Sequence, residues 1–465
     1  MVSVTMDQIV NLCKRRGFIY PSCEIYGGFA NTYTYGPYGC ELKANLKNLW
    51  WRFFVQSRSD MTGIDGNILL HPKVWEASGH VSGFNDAKVD CKVCKSRFRA
   101  DQLIEDQLKI DVEGKPLAEM DELIQNNKIN CPKCGNSQFT NVRKFNMMFR
   151  TSMGTTDESD ETAYLRPETA QAIFMTYNNI IDTMRFKLPF GIGQIGKAFR
   201  NEITPGNFIY RLIEFEQMEI EYFISPEDWE IVFEHWKNEM WRWCTELLQL
   251  NPEKLRIYEH AKEKLSHYSK RTIDIEYEYP FGFKELYGLA YRTDYDLRQH
   301  SLTSGKSTEY FDPSTNQKFI PHVIEPTFGV DRSLLVLLLN SYHQEEAPTG
   351  DGGVETRTVL RIPTYLAPVK IAILPLSKKP ELSSEARKIF DLLRRFWPCE
   401  YDETQSIGKR YRRQDEIGTP FAITFDFDSL SDQKVTVRER DTMSQERIAI
   451  DRLTDYFKAQ LHVEF

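Results

Sequence analysis

The sequence predicts an α+β fold: a large N-terminal part that mixes strands with helices, followed by a small α/β domain. Three observations carry that prediction. Residues 199–223, FRNEITPGNFIYRLIEFEQMEIEYF, join two apolar-aromatic runs through a Pro-Gly turn and read as a hairpin. Residues 226–270 repeat aromatic and aliphatic side chains every three or four positions, the period of amphipathic helices. From VKIAILPL onward, strands alternate with helices to the end of the chain, the pattern of a small α/β unit.

Bulk properties narrow the function classes. The 465 residues suffice for two or three domains with a large buried core. With 41% hydrophobic, 13% aromatic and 27% charged residues, the composition is that of a globular protein. No window approaches 18 apolar residues, and MVSVTMDQIVNLCKRRGF has neither a signal-peptide core nor a transit pattern, so the expected compartment is the cytoplasm, with no membrane partner. A net charge of -8 argues against non-specific coating of nucleic acid, while a local basic patch can still grip a polyanion.

In chain order, the first chemical signal is a pair of CxxC turns, Cys91 with Cys94 in DCKVCKSRFRAD and Cys131 with Cys134 in NCPKCGNSQF, 36 residues apart. Each turn presents two sulfurs to one point, so together they suit a tetrahedral zinc ion; four unligated or redox cysteines are the alternative. Four sulfur ligands leave no open position, so such a zinc would be structural. The stretch 88–145 that carries them reads as an insertion folded on a metal. The remaining cysteines, at 13, 23, 40, 244 and 399, read as core fillers.

The amphipathic stretch 226–270 reads as a helical insertion whose tryptophans are core residues rather than base stackers. Residues 346–362, within NSYHQEEAPTGDGGVETRTVLRIP, are polar and glycine-bearing and read as a linker. Beyond it lies the α/β domain, 363–465. Its run GKRYRRQ places Lys409, Arg410, Arg412 and Arg413 within five residues, either a phosphate-binding patch or a solvated helix start.

Alternation sorts the hairpin's charges by face. In the second strand Phe215, Gln217, Glu219 and Glu221 share one face, while Glu214, Glu216, Met218 and Ile220 share the other. Arg200 and Glu202 share a face of the first strand. Such charges either wall a cleft or form a solvated sheet face. Upstream stands AYLRPETAQAIF, and downstream HVIEPTFGVDRSLLVLLL runs from strand to apolar helix, with Asp331 and Arg332 in the helix's first turn. Gly329 permits close backbone approach, the helix start offers donors to a phosphate, and Arg332 adds a planar fork.

Together these strings resemble the motifs of class II aminoacyl-tRNA synthetases, and within them the single-polypeptide, homodimeric glycyl-tRNA synthetase family. Motif one resembles NTYTYGPYGCELKANLKNLWWRFFV, where Pro37 precedes a helix that builds the family's dimer interface. Motif two is FRNE, its loop and YRLIEFEQME; motif three is EPTFGVDR. RPETAQ, HYSKRTIDIEY, GFKELYGLAYRTDYDL and SIGKRYRRQDEIGTPF extend the likeness over nearly the whole chain.

The resemblance implies a class II catalytic domain over 1–345, built on an antiparallel sheet with helices, and an anticodon-binding domain over 363–465. It implies an enzyme that activates glycine with ATP and Mg2+ and transfers it to tRNA(Gly). Arg200 and Arg332 would be catalytic, gripping the α- and γ-phosphates. ATP would lie against Arg200, Asn201 and Glu202; against Tyr210, Arg211, Leu212, Ile213, Glu214 and Phe215; against Glu285 and Leu286; and against Gly329, Val330, Asp331 and Arg332. Glu285 would hold Mg2+. The glycine pocket would comprise Arg99, Glu168, Phe215, Glu216, Gln217, Met218, Glu219, Glu325, Thr327 and Gly329. Glu168, Glu219 and Glu325 would meet the ammonium there, and Arg99 the carboxylate. Lys409, Arg410, Arg412 and Arg413 would face tRNA. This chain has Thr327-Phe328 where the family more often has serine and a small residue, and Tyr291 where many relatives have aspartate. A synthetase for serine, threonine or proline should lack the three-glutamate set. A biotin-ligase-like enzyme would lack the C-terminal domain, and a non-enzymatic relative would have lost Arg200 and Arg332.

Overall fold

A computed structural model describes residues 4–112, 114–153, 161–266, 268–348 and 353–461. Its largest sheet has seven strands: β1 (Met61–Ile64), β2 (Phe190–Phe199), β3 (Glu214–Ile224), β4 (Leu255–Glu259), β5 (Arg271–Tyr279), β6 (Gly282–Thr293) and β7 (His322–Gly329). They lie in the order β4-β5-β6-β7-β3-β2-β1, antiparallel throughout except for the parallel pair β1 and β2.

One face of this sheet is apolar because alternate residues of each strand are. From β3, Met218, Ile220, Tyr222 and Ile224 enter the main core. That core is closed by α1 (Pro37–Trp51), α3 (Trp229–Arg242) and α4 (Val330–Ser341). Pro37 sits in the first turn of α1, where its missing N–H has no helical partner to lose. In α4, Val330, Leu334, Leu335, Val336, Leu337, Leu338 and Leu339 are all buried, so the helix is apolar all round and embedded in the core. Trp236 and Trp243 are fully buried in it, as core residues. The other face is split: α2 (Ala170–Met184) covers its β2 end with Ile173, Phe174 and Tyr177, and the rest is polar.

Three local expectations are corrected. The hairpin's first strand ends at Phe199, so Arg200 and Glu202 lie on the connecting loop rather than on a strand face. The stretch 226–270 is helical only to about Leu247. Gln249 then turns left-handed at φ 51°, a single 3-10 turn starts at Pro252 under the Asn251 cap, and Leu255–Glu259 pairs with β5 as an edge strand. Across the expected linker, Tyr342–Pro348 pairs antiparallel with Val354–Leu360, and residues 349–352 lie outside the described set. The second of these strands buries Arg357 against Asp415 of the C-terminal part, at 3.2 Å.

The stretch that carries the paired cysteines has its own small core of Val89, Ala100, Leu103, Ile104, Met120 and Ile124. At the C-terminal end, Ile371–Pro375 is flanked in parallel by Cys399–Tyr401 and Phe421–Phe425; Lys434–Glu439 and Gln445–Ala449 follow antiparallel. Helices Pro380–Leu393 and Leu453–Gln460 pack Leu382, Ile389 and Phe457 against this sheet. Of the scattered cysteines, Cys13 and Cys244 are buried as expected, whereas Cys23 and Cys40 are exposed.

Candidate active site

Strand register aligns the polar face into rows. Asp274, Gly288, Thr327, Glu219 and Gln194 are successive cross-strand partners from β5 to β2. One row toward the β7–α4 junction, Gly196, Gln217 and Gly329 are aligned in the same way. An added Cβ at 196 would lie 2.1 Å from the buried Arg166 guanidinium, so any larger residue there would have to displace that side chain. Above these rows opens a cavity of about 260 Å³, lined by β3, the motif-two loop, β6, β7 and the start of α4.

The loop supplies the cations. Arg200 donates from Nε to Pro167 O at 3.0 Å, and its guanidinium lies between the Phe84 and Phe215 rings, 5.4 and 5.3 Å from their centroids. Backbone bonds hold the loop itself: Arg200 N to Ile213 O at 2.9 Å and Asn201 N to Met147 O at 2.7 Å. Arg332 leaves the first turn of α4 to meet Glu285 Oε2 at 2.9 Å and lies over the Tyr210 ring at 4.6 Å. The Arg332 charge holds the Glu285 carboxyl below its usual range. Arg99 enters from the cysteine-bearing stretch, aimed by Asp86 at 3.5 Å and by Asp101.

Deeper in the fold the carboxylates converge. Glu168 is bridged by His80 at 3.3 Å and receives Gln171 Nε2 at 2.9 Å, with Arg292 at 3.9 Å. Burial opposes its charge, but His80 and Arg292 outweigh burial and hold it well below the usual carboxyl range. Glu219 accepts from the Thr169 and Thr327 hydroxyls, the latter at 3.2 Å. Burial, reinforced by Glu168, raises its pKa. Glu325 receives Arg292 at 2.7 Å, yet burial pushes it up to about 8. Thr327 thus keeps the hydroxyl that serine would supply. Phe328 points the other way, into the aromatic core against Phe54 and Tyr287, and Tyr291 bonds His322.

The residues expected from the sequence separate into groups. Arg99, Arg200, Glu202, Tyr210, Arg211, Leu212, Phe215, Gln217, Glu285, Leu286, Thr327, Gly329, Asp331 and Arg332 line the cavity. Met218 and Val330 instead lie in the apolar core, because alternation turns them to the sheet's other side. Glu214 is exposed and pairs with Lys197, and Asn201 and Ile213 contribute backbone bonds. Glu216 reaches the cavity wall, but its carboxylate is committed to Lys43 at 2.9 Å and Lys47 at 2.8 Å. Asp331 is likewise occupied, accepting from Glu216 N at 2.8 Å and from the Tyr35 hydroxyl. Arg292 was not anticipated. It is the buried cation that joins Glu325 to Asp296, and its only trace in the sequence is the i, i+4 spacing of Arg292 and Asp296 in YRTDYD.

Arg410 is corrected from tRNA contact to structural strut. It is buried, donating to Pro375 O at 2.6 Å and Asp402 O at 3.0 Å. Arg413 pairs with Asp402 at 2.5 Å and Arg412 with Glu355 at 2.6 Å, whereas Lys409 is exposed.

The four paired cysteines meet at one point. Cys91 and Cys134 sulfurs are 3.7 Å apart, Cys94 and Cys131 sulfurs 3.6 Å, and all four fall within 4.8 Å. Both turns are built alike: the residue after each CxxC takes a left-handed conformation, Lys95 at φ 60° and Gly135 at φ 72°, and returns its N–H to the first cysteine's carbonyl. A tetrahedron with bonds of about 2.3 Å has edges of roughly 3.8 Å, so the donor set fits zinc.

Antiparallel sheet, motif order and cation-lined cavity together define a class II aminoacyl-tRNA synthetase. Three family models agree: the tRNA synthetase class II core domain (G, H, P, S and T) matches residues 149–342, glycyl-tRNA synthetase insertion domain 1 matches 107–147, and the anticodon binding domain matches 370–460. Proteins named glycine–tRNA ligase are similar from end to end. That of Acetivibrio thermocellus is 54% identical over 464 residues, and that of Caldanaerobacter subterraneus subsp. tengcongensis 55% over 466, each covering 99% of both chains. That of Geobacillus kaustophilus is 52% identical over 465 residues, 99% of this chain and 100% of its own. The chain belongs to the glycine–tRNA ligase family.

Proposed function

We propose that this cavity performs glycine activation as follows. The adenine ring stacks on Phe215, with Glu202 at its amino group. Arg200 reaches the α-phosphate, where charge grows as a carboxylate oxygen of glycine bonds to phosphorus and the pyrophosphate oxygen leaves. Arg332 grips the γ-phosphate. The nucleophile is already an anion, so positioning and fixed cations carry the rate and no general base is needed. Glu285 would hold Mg2+, which when bound neutralises phosphate charge. The glycine ammonium is held by Glu168, Glu219 and Glu325, and its carboxylate by Arg99. Met218, Val330 and Glu214 take no direct part, and Glu216 acts from behind the wall through Lys43 and Lys47. The amino-acid ester then forms on the 3′-terminal ribose of tRNA(Gly), with Lys409 contributing to the polyanion contact on the C-terminal part.

Structural zinc at Cys91, Cys94, Cys131 and Cys134, a homodimer built on α1 and a cytoplasmic location complete the proposal. The first rests on the sulfur geometry and the second on motif one. For the third, no helix among the described residues is long and apolar enough to cross a membrane.

The observation that carries the mechanism is the loop-mounted Arg200, fixed by Pro167 O and two rings with its guanidinium lining the cavity. Its test is Arg200→Ala in glycine-dependent ATP–pyrophosphate exchange. Loss of one preorganised contact to developing charge predicts a fall of about 10²- to 10³-fold with unchanged melting. Exchange within twofold of wild type would remove the assignment.

A further inference from the structure

Behind the ammonium pocket lies a carboxyl that the mechanism above leaves idle. Glu221 is 0% exposed, and neither of its oxygens has a hydrogen-bond partner among the described residues. Gln194, the β2 partner of Glu219, is equally buried, with both amide atoms unpartnered among the described residues. Carboxyl oxygens of Glu219, Glu221 and Glu325 fall within 4.8 Å of one another.

The charges facing Glu221 come from every side but one. Glu325 faces it from β7, Arg292 from β6, Asp296 from the helix Tyr295–Ser304 and Glu219 from its own strand, while its partner on β2 is the uncharged Ile192. Arg292 is the cation among them, and it is committed to Glu325 at 2.7 Å and Asp296 at 2.9 Å. Buried carboxylates this close cannot all be ionised, and the proton settles on the member with the least support. Glu325 has Arg292 and Glu219 has two threonine hydroxyls. Glu221 has neither, and burial followed by Glu325 lifts its pKa well above the ordinary value.

We propose that Glu221 is a positioning residue that holds a proton in the empty pocket and releases it to solvent when the substrate's primary ammonium arrives at Glu168, Glu219 and Glu325. The pocket thereby keeps its charge nearly constant: an ammonium enters, a proton leaves, and no other bond changes. This inference rests on the ammonium site assigned above. Below the pKa of the Glu221–Glu325 pair, glycine binding works against a bound proton, so the KM for glycine falls about tenfold per pH unit as pH rises. Above it, the KM levels off.

The test is the KM for glycine in ATP–pyrophosphate exchange from pH 6.5 to 9, for wild type, Glu221→Gln and Glu221→Asp. The glutamine amide keeps the shape and a donor but has no proton to lose. Its KM should match wild type near pH 6.5, stay flat, and exceed wild type at least tenfold by pH 8.5, with kcat unaltered. Glu221→Asp should restore the slope. Calorimetry with glycine in two buffers of different ionisation enthalpy should show proton release by wild type and none by Glu221→Gln. Parallel pH profiles, or equal proton release, would overturn the inference. If Glu221→Gln does not fold, wild-type calorimetry decides alone, and absence of proton release there refutes it. A glycine KM left unchanged by Glu219→Gln would instead overturn the ammonium site, and this inference with it.

Discussion

Replacing Glu219 with glutamine should move function and stability in opposite directions. The side chain is 2% exposed and accepts hydrogen bonds from the Thr169 and Thr327 hydroxyls. A hydroxyl donates or accepts, so both contacts survive the isosteric change. What is lost is a charged hydrogen bond to the glycine ammonium, worth about 1.5–3 kcal/mol, or roughly a 10- to 150-fold rise in the KM for glycine. The KM for ATP should stay within about twofold, because the proposed nucleotide contacts lie elsewhere, on Phe215, Arg200 and Arg332. Stability should hold or rise. Burial and Glu168 raise the folded pKa of Glu219, so its ionised form disfavours the fold at neutral pH, and removing that charge relieves the strain. Steady-state exchange kinetics paired with a melting curve measure both. A lower melting temperature with an unchanged glycine KM would refute the reasoning.

Two further outcomes follow from the same geometry. Purified protein should carry one zinc per chain by elemental analysis; Cys91→Ser should lose it and melt the stretch around Val89 and Ile104 first, whereas less than half an equivalent in unchelated wild type would count against the site. The substrate-free protein should become less stable as pH rises toward 8. Burial raises the Glu221–Glu325 pair, Glu325 to about 8 from a usual value of ~4.3, so between those values the folded pair holds a proton that the unfolded chain has lost, and the stabilisation present at lower pH fades. Melting at pH 6.0 and 8.5 should show this fall in wild type and a smaller one in Glu221→Gln.

The legible parts of the molecule are those with a local cause. The alternation of β3 correctly separates Glu219 and Glu221 from Met218 and Ile220, because period two is a property of the strand itself. The CxxC turns announce their convergence for the same reason. Residues whose partners lie far away in sequence were hidden. GKRYRRQ reads as a basic patch, yet Asp402, Glu355 and the carbonyl of Pro375 take up most of its charge, and these come from other elements. Arg292 looks like any surface arginine until β6, β7 and the following helix bring Glu325 and Asp296 to it. Glu216 was placed by motif at the substrate, whereas Lys43 and Lys47 of α1, about 170 residues upstream, claim its carboxylate. The helical period of 226–270 fails after Leu247, where Gln249 turns left-handed and the chain returns to the sheet as an edge strand at Leu255.

The central claim is that a cluster of buried carboxylates selects an amino acid with no side chain for coupling to ATP. ATP–pyrophosphate exchange driven in turn by each of the twenty amino acids tests it most directly. The account predicts exchange with glycine, and with alanine and serine lower by at least about 10²-fold, since a site that holds only the ammonium and carboxylate offers a β-substituent no partner. Equal exchange with alanine or serine, or none with glycine, would contradict it.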